Sequence, residues 1–346
     1  MISPENIKLA ICKASKGKRK RPRVKQIYNN QDRYIEHFQT MAENYHHRKK
    51  PPRKIYDGVC RKQREIVVPS FDEQVLHHMI VNVLEPIIRK GMYEHVHGSI
   101  PGRGPAKSKA HLERCIRNHA KSCKYFLKMD IRHFFGSIDH GLLEAFIAKR
   151  IHDPKMMRVI HEVISCTDVG LPLGFHTSHW LANWYLQDLD HYIKEDLGAD
   201  IHVRYMDDMV ILGSNKKKLH EIRKNVESYL AGNKNLTMEN KWQVRRFEYK
   251  RKGKTYGSDI DFMGYRFHRG YTTLRRSIML RMSRRARRIS RKEKTTIFDC
   301  RQMLSALGWI KATDTYRWYE EWIKPYVSFR KCRKRVSSYD RRINRQ

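Results

Sequence analysis

The chain has 346 residues, with 72 lysines and arginines against 36 aspartates and glutamates, and therefore a formal net charge of +36. This excess indicates a polyanionic partner, because neutralising phosphates releases bound counterions and gives salt-sensitive affinity. No run of about 18 apolar residues is present, so no membrane-spanning helix is expected, and the first residues lack the pattern of a signal peptide.

Residues 1–52 are predicted to form a basic N-terminal extension. Within it, the run 16–25 is dense in lysine and arginine, and Gly17 and Pro22 keep it from forming one helix. Such a run can bind a polyanion as an arm or stay solvated as a tail. A helix is predicted over residues 29–47, from apolar side chains at three- and four-residue spacing: Tyr34, Phe38, Met41 and Tyr45.

Three segments of the central region carry turn or charge signals. Arg61–Pro69 joins basic side chains to a β-prone stretch, and His97–Gly104 is rich in glycine. Glycines in the second segment would permit turns and a close backbone approach to nucleic acid, although an ordinary loop has the same composition. The third segment is Gly170-Leu-Pro-Leu-Gly174, which precedes Thr177-Ser178 and Leu181-Ala-Asn183.

The most informative feature is a pair of adjacent aspartates, Asp207 and Asp208. Their Val- and Ile-rich flanks, within residues 201–212, predict two short strands with the aspartates at the tip of a β-hairpin. An isolated Asp-Asp is more often an ordinary acidic turn. A third carboxylate, Asp130, follows another β-prone run, and adjacent carboxylates that a fold holds together usually surround a cation. The three would suit two Mg²⁺ ions that clamp the oxygens of a phosphoryl transfer.

The region after Gly270 is strongly basic. Residues 275–294 hold ten basic side chains and one acid, Glu293. Five arginines recur at helical spacing, namely Arg281, Arg284, Arg285, Arg288 and Arg291. An apolar stripe lies opposite, formed by Ile278, Met282, Ala286 and Ile289. We expect this helix to pack by one face and to follow a phosphate backbone with the other. The next aromatics are expected in the core of packed helices: Trp309, Tyr316, Trp318, Tyr319 and Trp322.

Together these segments resemble bacterial reverse transcriptases over roughly residues 55–268. Asp130 and the hairpin Tyr205-Met-Asp-Asp208 resemble the two catalytic segments of the palm. The other similar segments follow in family order: the fingers segment Arg61–Pro69, the Gly-rich segment His97–Gly104, the loop Gly170–Gly174 under the templating base pair, Lys241 near the nucleotide phosphates, and the primer-grip hairpin Phe262–Tyr265.

The resemblance implies an α+β right-hand polymerase with fingers, an antiparallel-sheet palm and a helical thumb. The expected domains are the extension 1–52, fingers and palm 53–268, and thumb 269–346. The implied reaction is RNA-templated DNA synthesis from a 3′-hydroxyl, with release of pyrophosphate. Its implied catalytic and metal-site residues are Asp130, Asp207 and Asp208, with Ile131 added to the metal site. The cofactor would be two Mg²⁺ ions, for which Mn²⁺ could substitute.

Further roles follow residue by residue from the resemblance. The nucleotide-binding residues would be Arg64, Lys62, Phe135, Leu173, Gly174 and Lys241. Phe135 would exclude a 2′-hydroxyl, so deoxynucleotides are the expected substrates; alternatively, Phe134 and Phe135 both fill the core. The primer grip would comprise Phe262, Met263, Gly264 and Tyr265. The nucleic-acid-binding residues would be Arg103 and the five arginines of residues 281–291, and the basic run 16–25 would be an RNA-binding arm.

One position bears on the subfamily. Many reverse transcriptases have glutamine where this chain has Leu173, and an apolar residue there resembles the enzymes of diversity-generating retroelements. Ser178 is followed by His179, where the family usually has glutamine. The implied role is mutagenic copying with low fidelity. Alternatives are a bacterial anti-phage defence enzyme that copies a dedicated non-coding RNA, and an RNA-binding scaffold with a vestigial site. A group II intron or retron role is less favoured.

The expected partners are an RNA template, the RNA/DNA duplex and dNTPs. A structured non-coding RNA and a small basic accessory protein are further candidates, and no membrane is expected. Seven cysteines without a Cys-x-x-Cys pair suggest neither a zinc site nor a disulfide framework, which favours a reducing bacterial cytoplasm, with the gene carried by a bacterium or a phage. No RNase H or endonuclease region is recognised, so other proteins are expected to supply those activities.

Overall fold

The structure is a computed structural model that describes residues 1–47, 51–56 and 63–345. They form two compact units, one of Met1–Ser108 with Leu127–Val244 and the other of Lys109–Phe126 with Arg245–Gln346. These units do not coincide with the predicted segments 1–52, 53–268 and 269–346, which stay a prediction about functional subdomains.

The first unit contains, wholly or in part, these elements: α1 (Pro4–Ser15), α2 (Pro22–Asn29), α3 (Ile35–Glu43), β1 (Arg53–Tyr56), β2 (Gln63–Ile66), α4 (Phe71–Lys90), α5 (Pro105–Asn118), β3 (Tyr125–Met129), α6 (Phe134–Ser137), α7 (His140–Ala148), α8 (Pro154–Ile164), α9 (His176–Tyr185), α10 (Gln187–His191), β4 (Ile201–Tyr205), β5 (Asp208–Gly213), α11 (Lys216–Lys234) and β6 (Gln243–Arg246). A 3₁₀ turn (Asp32–Tyr34) precedes α3, and a π-helical turn (Tyr192–Asp196) follows α10.

The second unit adds these elements to the remaining parts of α5, β3 and β6: β7 (Tyr249–Arg251), β8 (Lys254–Tyr256), β9 (Ile260–Phe262), β10 (Tyr265–Phe267), β11 (Thr272–Leu274), α12 (Arg276–Ser290), α13 (Ile297–Lys311), α14 (Tyr316–Trp322) and α15 (Phe329–Arg345).

The N-terminal extension is built into the first unit. Helix α1 packs against α4 and buries Ile7, Ala10 and Ile11, and the Asn6 side-chain amide donates to the Met79 carbonyl at 3.1 Å. The predicted break in the basic run is present, because α1 ends at Ser15 and α2 begins at Pro22. The helix predicted over 29–47 is too long. Helix α2 ends at Asn29, only Ile35–Glu43 of the range beyond it is α-helical, and the Asn44 side chain donates to the Thr40 carbonyl where this helix ends.

A four-stranded sheet in the order β4-β5-β3-β6 forms the centre of the predicted palm. Strands β4 and β5 pair antiparallel, and their alternately directed side chains are almost all buried, as expected of short Val- and Ile-rich strands covered on both faces. Helix α11 packs against β5, and α4 packs against α9. The sheet thus gives the aspartate hairpin a rigid base.

In the second unit, β9, β10 and β11 form a three-stranded antiparallel sheet, and α13 packs against α15. The apolar stripe predicted for α12 is buried, whereas Arg284, Arg288 and Arg291 are exposed. The interpretation of the later aromatics as core is wrong. Tyr316 is 61% and Trp322 37% exposed, and Trp318 and Tyr319 are only partly buried, because the short α14 contributes no buried residue. Trp309, on α13, is also only partly buried.

Among the described residues, no helix is both long enough and apolar enough to cross a membrane.

Two fully buried histidines make the stability of the fold depend on pH. Burial lowers the pKa of His77 to about 3 and that of His202 to about 4. Below pH 6.5 the unfolded chain binds protons at these side chains and the folded chain does not, so the free energy of unfolding falls as the pH drops. Between pH 6.5 and 5 each histidine accounts for about 2 kcal/mol.

We therefore predict that urea denaturation at a series of pH values shows the native protein losing stability steadily below pH 6.5. His77→Gln, which keeps a polar group beside the Thr177 hydroxyl, makes this dependence shallower by roughly 1.4 kcal/mol per pH unit. Equal slopes for the native protein and the variant would contradict the assignment.

Candidate active site

The hairpin predicted from the sequence is present and carries the aspartate pair at its tip. Tyr205 pairs with Asp208 across β4 and β5, which leaves Met206 and Asp207 as the two turn residues. Met206 has φ of +58°, a left-handed conformation that costs a non-glycine residue roughly 1 kcal/mol. A turn held in such a conformation needs support from its surroundings.

Arg204 supplies that support from beneath the turn. Its side chain is fully buried, and its guanidinium donates to the Asp190 carboxylate at 2.6 and 2.8 Å. The same group donates to the Met206 carbonyl at 3.0 Å and to the Asn183 side-chain oxygen at 3.1 Å. Because a buried charge is tolerated only when it is paired and hydrogen-bonded, this network fixes the turn to α9 and α10.

Sequence reasoning missed this role of Arg204. The signal was an arginine inside a strand whose other residues are suited to burial, since arginine is almost never fully buried unless it is paired. Its partner Asp190 lies fourteen residues earlier, on helix α10, and no local pattern links the two.

The Gly-rich segment packs directly on the hairpin. Asn183 donates to the Gly98 carbonyl at 2.8 Å, and His97 donates from its backbone to the Arg204 carbonyl at 3.0 Å. A Cβ on Gly98 would lie 2.6 Å from the Met206 backbone nitrogen, so only glycine fits. The glycine was expected to let the backbone approach nucleic acid closely; at Gly98 it lets the backbone approach the hairpin turn instead.

Arg103 lies in the same segment and holds its fold. Its guanidinium donates to the Tyr93 and Val96 carbonyls at 2.6 and 3.2 Å, and burial lowers its pKa. A role of Arg103 in binding nucleic acid stays a prediction.

Asp130 follows β3, the strand beside β5. Two residues earlier, Lys128 places its ammonium group 3.8 Å from the Asp208 carboxylate, which shows that this end of β3 reaches the aspartate hairpin. Oδ1 of Asp130 and Oδ1 of Asp208 are both buried from solvent. Within the described ranges, no three His, Cys, Asp or Glu side chains are grouped so that they could hold a metal ion as they stand.

The backbone at Ile131 is also fixed. Ile131 forms a bridge with Met238, and its hydrogen bonds run from Glu239 to the Asp130 carbonyl (2.8 Å) and from Arg132 to the Thr237 carbonyl (2.9 Å). Both hydrogen bonds are made by the residues on either side of Ile131, so the Ile131 carbonyl takes no part in this bridge.

Phe134 and Phe135 are placed differently. Phe134 is buried, whereas Phe135 is partly exposed and meets the ring of His179 edge-on at 5.4 Å. The Phe135 carbonyl accepts from the backbone of Leu171 at 2.6 Å, and a Cβ on Gly170 would lie 2.5 Å from that carbonyl oxygen. Phe134 thus belongs to the core, and Phe135 is fixed beside the Gly170–Gly174 loop.

The same loop is bound to the segment after β2. The Val67 backbone donates to the Leu173 carbonyl at 2.8 Å, and a Cβ on Gly174, which has φ of +110°, would lie 2.3 Å from the Val67 carbonyl oxygen. Arg64 lies three residues before Val67, exposed on β2 opposite Ile55. Lys62 lies outside the described residues.

Lys241 is exposed and lies two residues before β6. Glu239, two residues earlier, donates from its backbone to the Asp130 carbonyl at 2.8 Å, so the chain is attached next to the end of β3 shortly before Lys241. Its predicted contact with nucleotide phosphates stays a prediction.

The predicted primer grip lies in the second unit and forms a tight β-hairpin. Phe262 pairs with Tyr265, and both side chains are buried; Met263 and Gly264 form the turn with φ of +51° and +87°. A Cβ on Gly264 would meet Ile278 of α12 at 2.9 Å. The aromatic side chains therefore anchor this turn to the core, and the partly exposed Met263 is the turn residue that a ligand could reach.

Comparison with known proteins identifies the family. Residues 48–267 match the family model for reverse transcriptase (RNA-dependent DNA polymerase), and the chain belongs to this family. The predicted fold class, an α+β right-hand polymerase, is confirmed by this match together with the helices and antiparallel sheets.

Several known proteins are similar in sequence or structure to part of this chain. The group II intron-encoded protein LtrA of Lactococcus lactis subsp. cremoris is 27% identical over 158 residues, covering 42% of this chain and 26% of LtrA. The retron Ec73 reverse transcriptase of Escherichia coli is 27% identical over 176 residues, covering 46% of this chain and 53% of the retron enzyme. Apo telomerase from Candida tropicalis aligns with a TM-score of 0.49 at 12% identity, covering 73% of this chain and 51% of that one.

Removing Arg204 is expected to lower the stability of the fold and to loosen the hairpin turn. Arg204→Met leaves the Asp190 carboxylate buried without its cation, and we expect a loss of about 3–5 kcal/mol in urea denaturation. Arg204→Met combined with Asp190→Leu removes both charges and recovers most of that loss. In both variants the Met206 carbonyl lacks its donor, so amide hydrogen exchange at residues 206–208 becomes faster.

Lys324→Met is the control, because it removes an exposed ion pair with Glu320 and should change little. Unaltered exchange at the hairpin in the double variant would show that Arg204 does not position the turn.

Proposed function

We propose that the chain is an RNA-directed DNA polymerase that copies an RNA template into cDNA by adding dNTPs to a 3′-hydroxyl. The observation that carries this proposal is the supported hairpin with Asp207 and Asp208 at its tip, beside strand β3, which Asp130 directly follows. The match to the reverse transcriptase family supports it independently.

The donor set suits divalent cations. Carboxylate oxygens of Asp130, Asp207 and Asp208 are the hard ligands that Mg²⁺ prefers, and the Ile131 carbonyl could join them. Two Mg²⁺ ions, or Mn²⁺ in their place, would lower the barrier by stabilising charge on the attacking and leaving oxygens. Lys128, whose ammonium group lies 3.8 Å from the Asp208 carboxylate, would offset part of the negative charge of the site.

The predicted nucleotide-binding residues would hold the incoming dNTP. Arg64, together with Lys62 and Lys241, would bind the triphosphate, for which the planar guanidinium of arginine suits paired oxygens. Phe135, partly exposed and held by backbone contacts, would pack against the sugar and exclude a 2′-hydroxyl. Leu173 and Gly174 would shape the pocket of the nascent base pair.

For the biological role we propose low-fidelity copying in a diversity-generating retroelement, on the basis of the apolar Leu173. A structured template RNA and a small basic accessory protein would be partners, in the cytoplasm of a bacterium. The likeness to a retron reverse transcriptase fits a second candidate, an anti-phage defence enzyme that copies a dedicated non-coding RNA. An RNA-binding scaffold without catalysis is the non-enzymatic alternative.

Primer extension tests the activity. On an RNA template with a DNA primer, dNTPs and Mg²⁺, we expect cDNA from the native protein and a decrease of about a thousandfold or more with Asp207→Asn. The reason is that stabilising charge in the transition state contributes several kcal/mol. Asp200→Asn, which neutralises an exposed aspartate just before β4, should retain full activity.

If the native protein copied neither this template nor the RNA that co-purifies with it, the polymerase proposal would fail. The RNA-binding scaffold would then be the better description.

Leu173→Gln tests the low-fidelity proposal. An amide at this position adds a hydrogen-bond donor beside the nascent base pair, so we expect several-fold fewer misincorporations, most of all opposite template adenines. The measurement is sequencing of cDNA made by both proteins. Leu142→Gln, a change of an exposed leucine on α7, is the matched control. An unchanged error spectrum would remove the basis for assigning low fidelity to Leu173.

A further inference from the structure

A basic hairpin in the second unit has no assigned role. Strands β7 and β8 pair antiparallel from Tyr249↔Tyr256 to Arg251↔Lys254, and we call residues 245–256 the basic ribbon. Its turn is formed by Lys252 and Gly253, with φ of +47° and +72°. Two consecutive residues at positive φ match the twist of a tight two-residue hairpin, so the turn is a defined structure.

The exposed charges of the ribbon are all positive. Six of its side chains are basic and all six are exposed: Arg245, Arg246, Lys250, Arg251, Lys252 and Lys254. Its one acid, Glu248, lies 2.7 Å from the His268 ring and is mostly buried. Nothing acidic within the ribbon therefore faces its basic surface.

Two of these positive charges destabilise the hairpin. Arg251 and Lys254 lie directly opposite each other in the ladder, and like charges in cross-strand pairs repel. Isolated two-stranded hairpins are only marginally stable, so this pair weakens an element with little stability to spare. The ribbon is held instead by the Tyr249–Tyr256 ring stack at 5.7 Å and by Arg246 over the Tyr249 ring at 4.3 Å. A polyanion between the two cations would turn their repulsion into attraction.

The base of the ribbon is anchored beside the predicted primer grip. Ser258 donates from its backbone to the Arg246 carbonyl at 2.9 Å, and a Cβ on Gly257 would lie 2.8 Å from the Phe247 carbonyl oxygen. Strand β9, which leads into the primer-grip turn, begins two residues later at Ile260. A double helix that contacts this turn must therefore pass close to the ribbon.

We propose that the basic ribbon binds the phosphate backbone of the template–primer duplex next to the primer grip. This inference rests on the proposed polymerase function. Contacts to phosphate need no particular base sequence, so the ribbon adds affinity and salt dependence without specificity. Lys252 and Gly253 form the tip, so the tip offers no apolar side chain to a membrane or a protein groove.

The test is equilibrium binding of the whole chain to an RNA–DNA hybrid, without dNTPs, over a series of salt concentrations. The first variant combines Arg251→Gln, Lys252→Gln and Lys254→Gln. Each lost phosphate contact should lower the slope of log affinity against log salt by about 0.7–0.9, and we expect a total decrease of about 2 with at least tenfold weaker binding. The charge-matched control combines Lys216→Gln, Lys217→Gln and Lys224→Gln, all exposed on α11.

A second variant separates folding from binding. Arg251→Glu creates an opposite-charge pair with Lys254, so it should maintain or raise the thermal midpoint of unfolding while it weakens hybrid binding. The proposal predicts that both ribbon variants lose hybrid affinity and that the α11 control does not.

An unchanged salt slope, or an equal loss in the α11 control, would overturn the proposal. So would a loss confined to a free RNA stem of equal length, since the ribbon would then serve a separate RNA. Extension by the native protein is measured alongside: native protein that binds the hybrid but does not extend it would count against the polymerase function alone.

Discussion

The candidate site depends on the buried bond between Arg204 and Asp190. Without solvent, the guanidinium must place its donors on protein acceptors, and it finds them on α10, on Asn183 of α9 and on the Met206 carbonyl of the turn. A buried pair of this kind is not expected to add much net stability compared with apolar residues of similar size. Its contribution is geometric, because the charge can be satisfied only when the turn and both helices are in place.

Close contacts at glycine complete the arrangement around the hairpin. Gly98 lets the Gly-rich segment lie against Met206, and Gly174 lets the loop lie against Val67. Each contact joins segments that are far apart in the chain, and a side chain at either position would force them apart. Phe135, Leu173 and Gly174, which are proposed to hold the nucleotide, are therefore positioned by close backbone packing.

Local patterns predicted much of this molecule. The hairpin at Asp207, the break between Ser15 and Pro22 and the buried stripe of α12 all follow from alternation, turn residues or helical spacing. These signals work because they depend on neighbouring residues alone.

Features that depend on distant residues were not predicted. The helix near Tyr45 ends early, and the aromatics of α14 remain exposed, because periodicity does not say what an element packs against. The pairing of Arg204 with Asp190 and the repulsive pair in the basic ribbon are set by tertiary contacts and strand register. The charge of +36 indicated a polyanionic partner, but it did not show which surfaces would meet that partner.

The central claim is that Asp130, Asp207 and Asp208 together bind the divalent cations of a polymerase. The most direct measurement is anomalous diffraction from Mn²⁺ in crystals of the chain with an RNA–DNA hybrid and a non-reactive dNTP analogue. The claim predicts Mn²⁺ peaks within coordination distance of all three carboxylates, at the tip of the β4–β5 hairpin. Hybrid bound in the crystal with no Mn²⁺ at these carboxylates would contradict it.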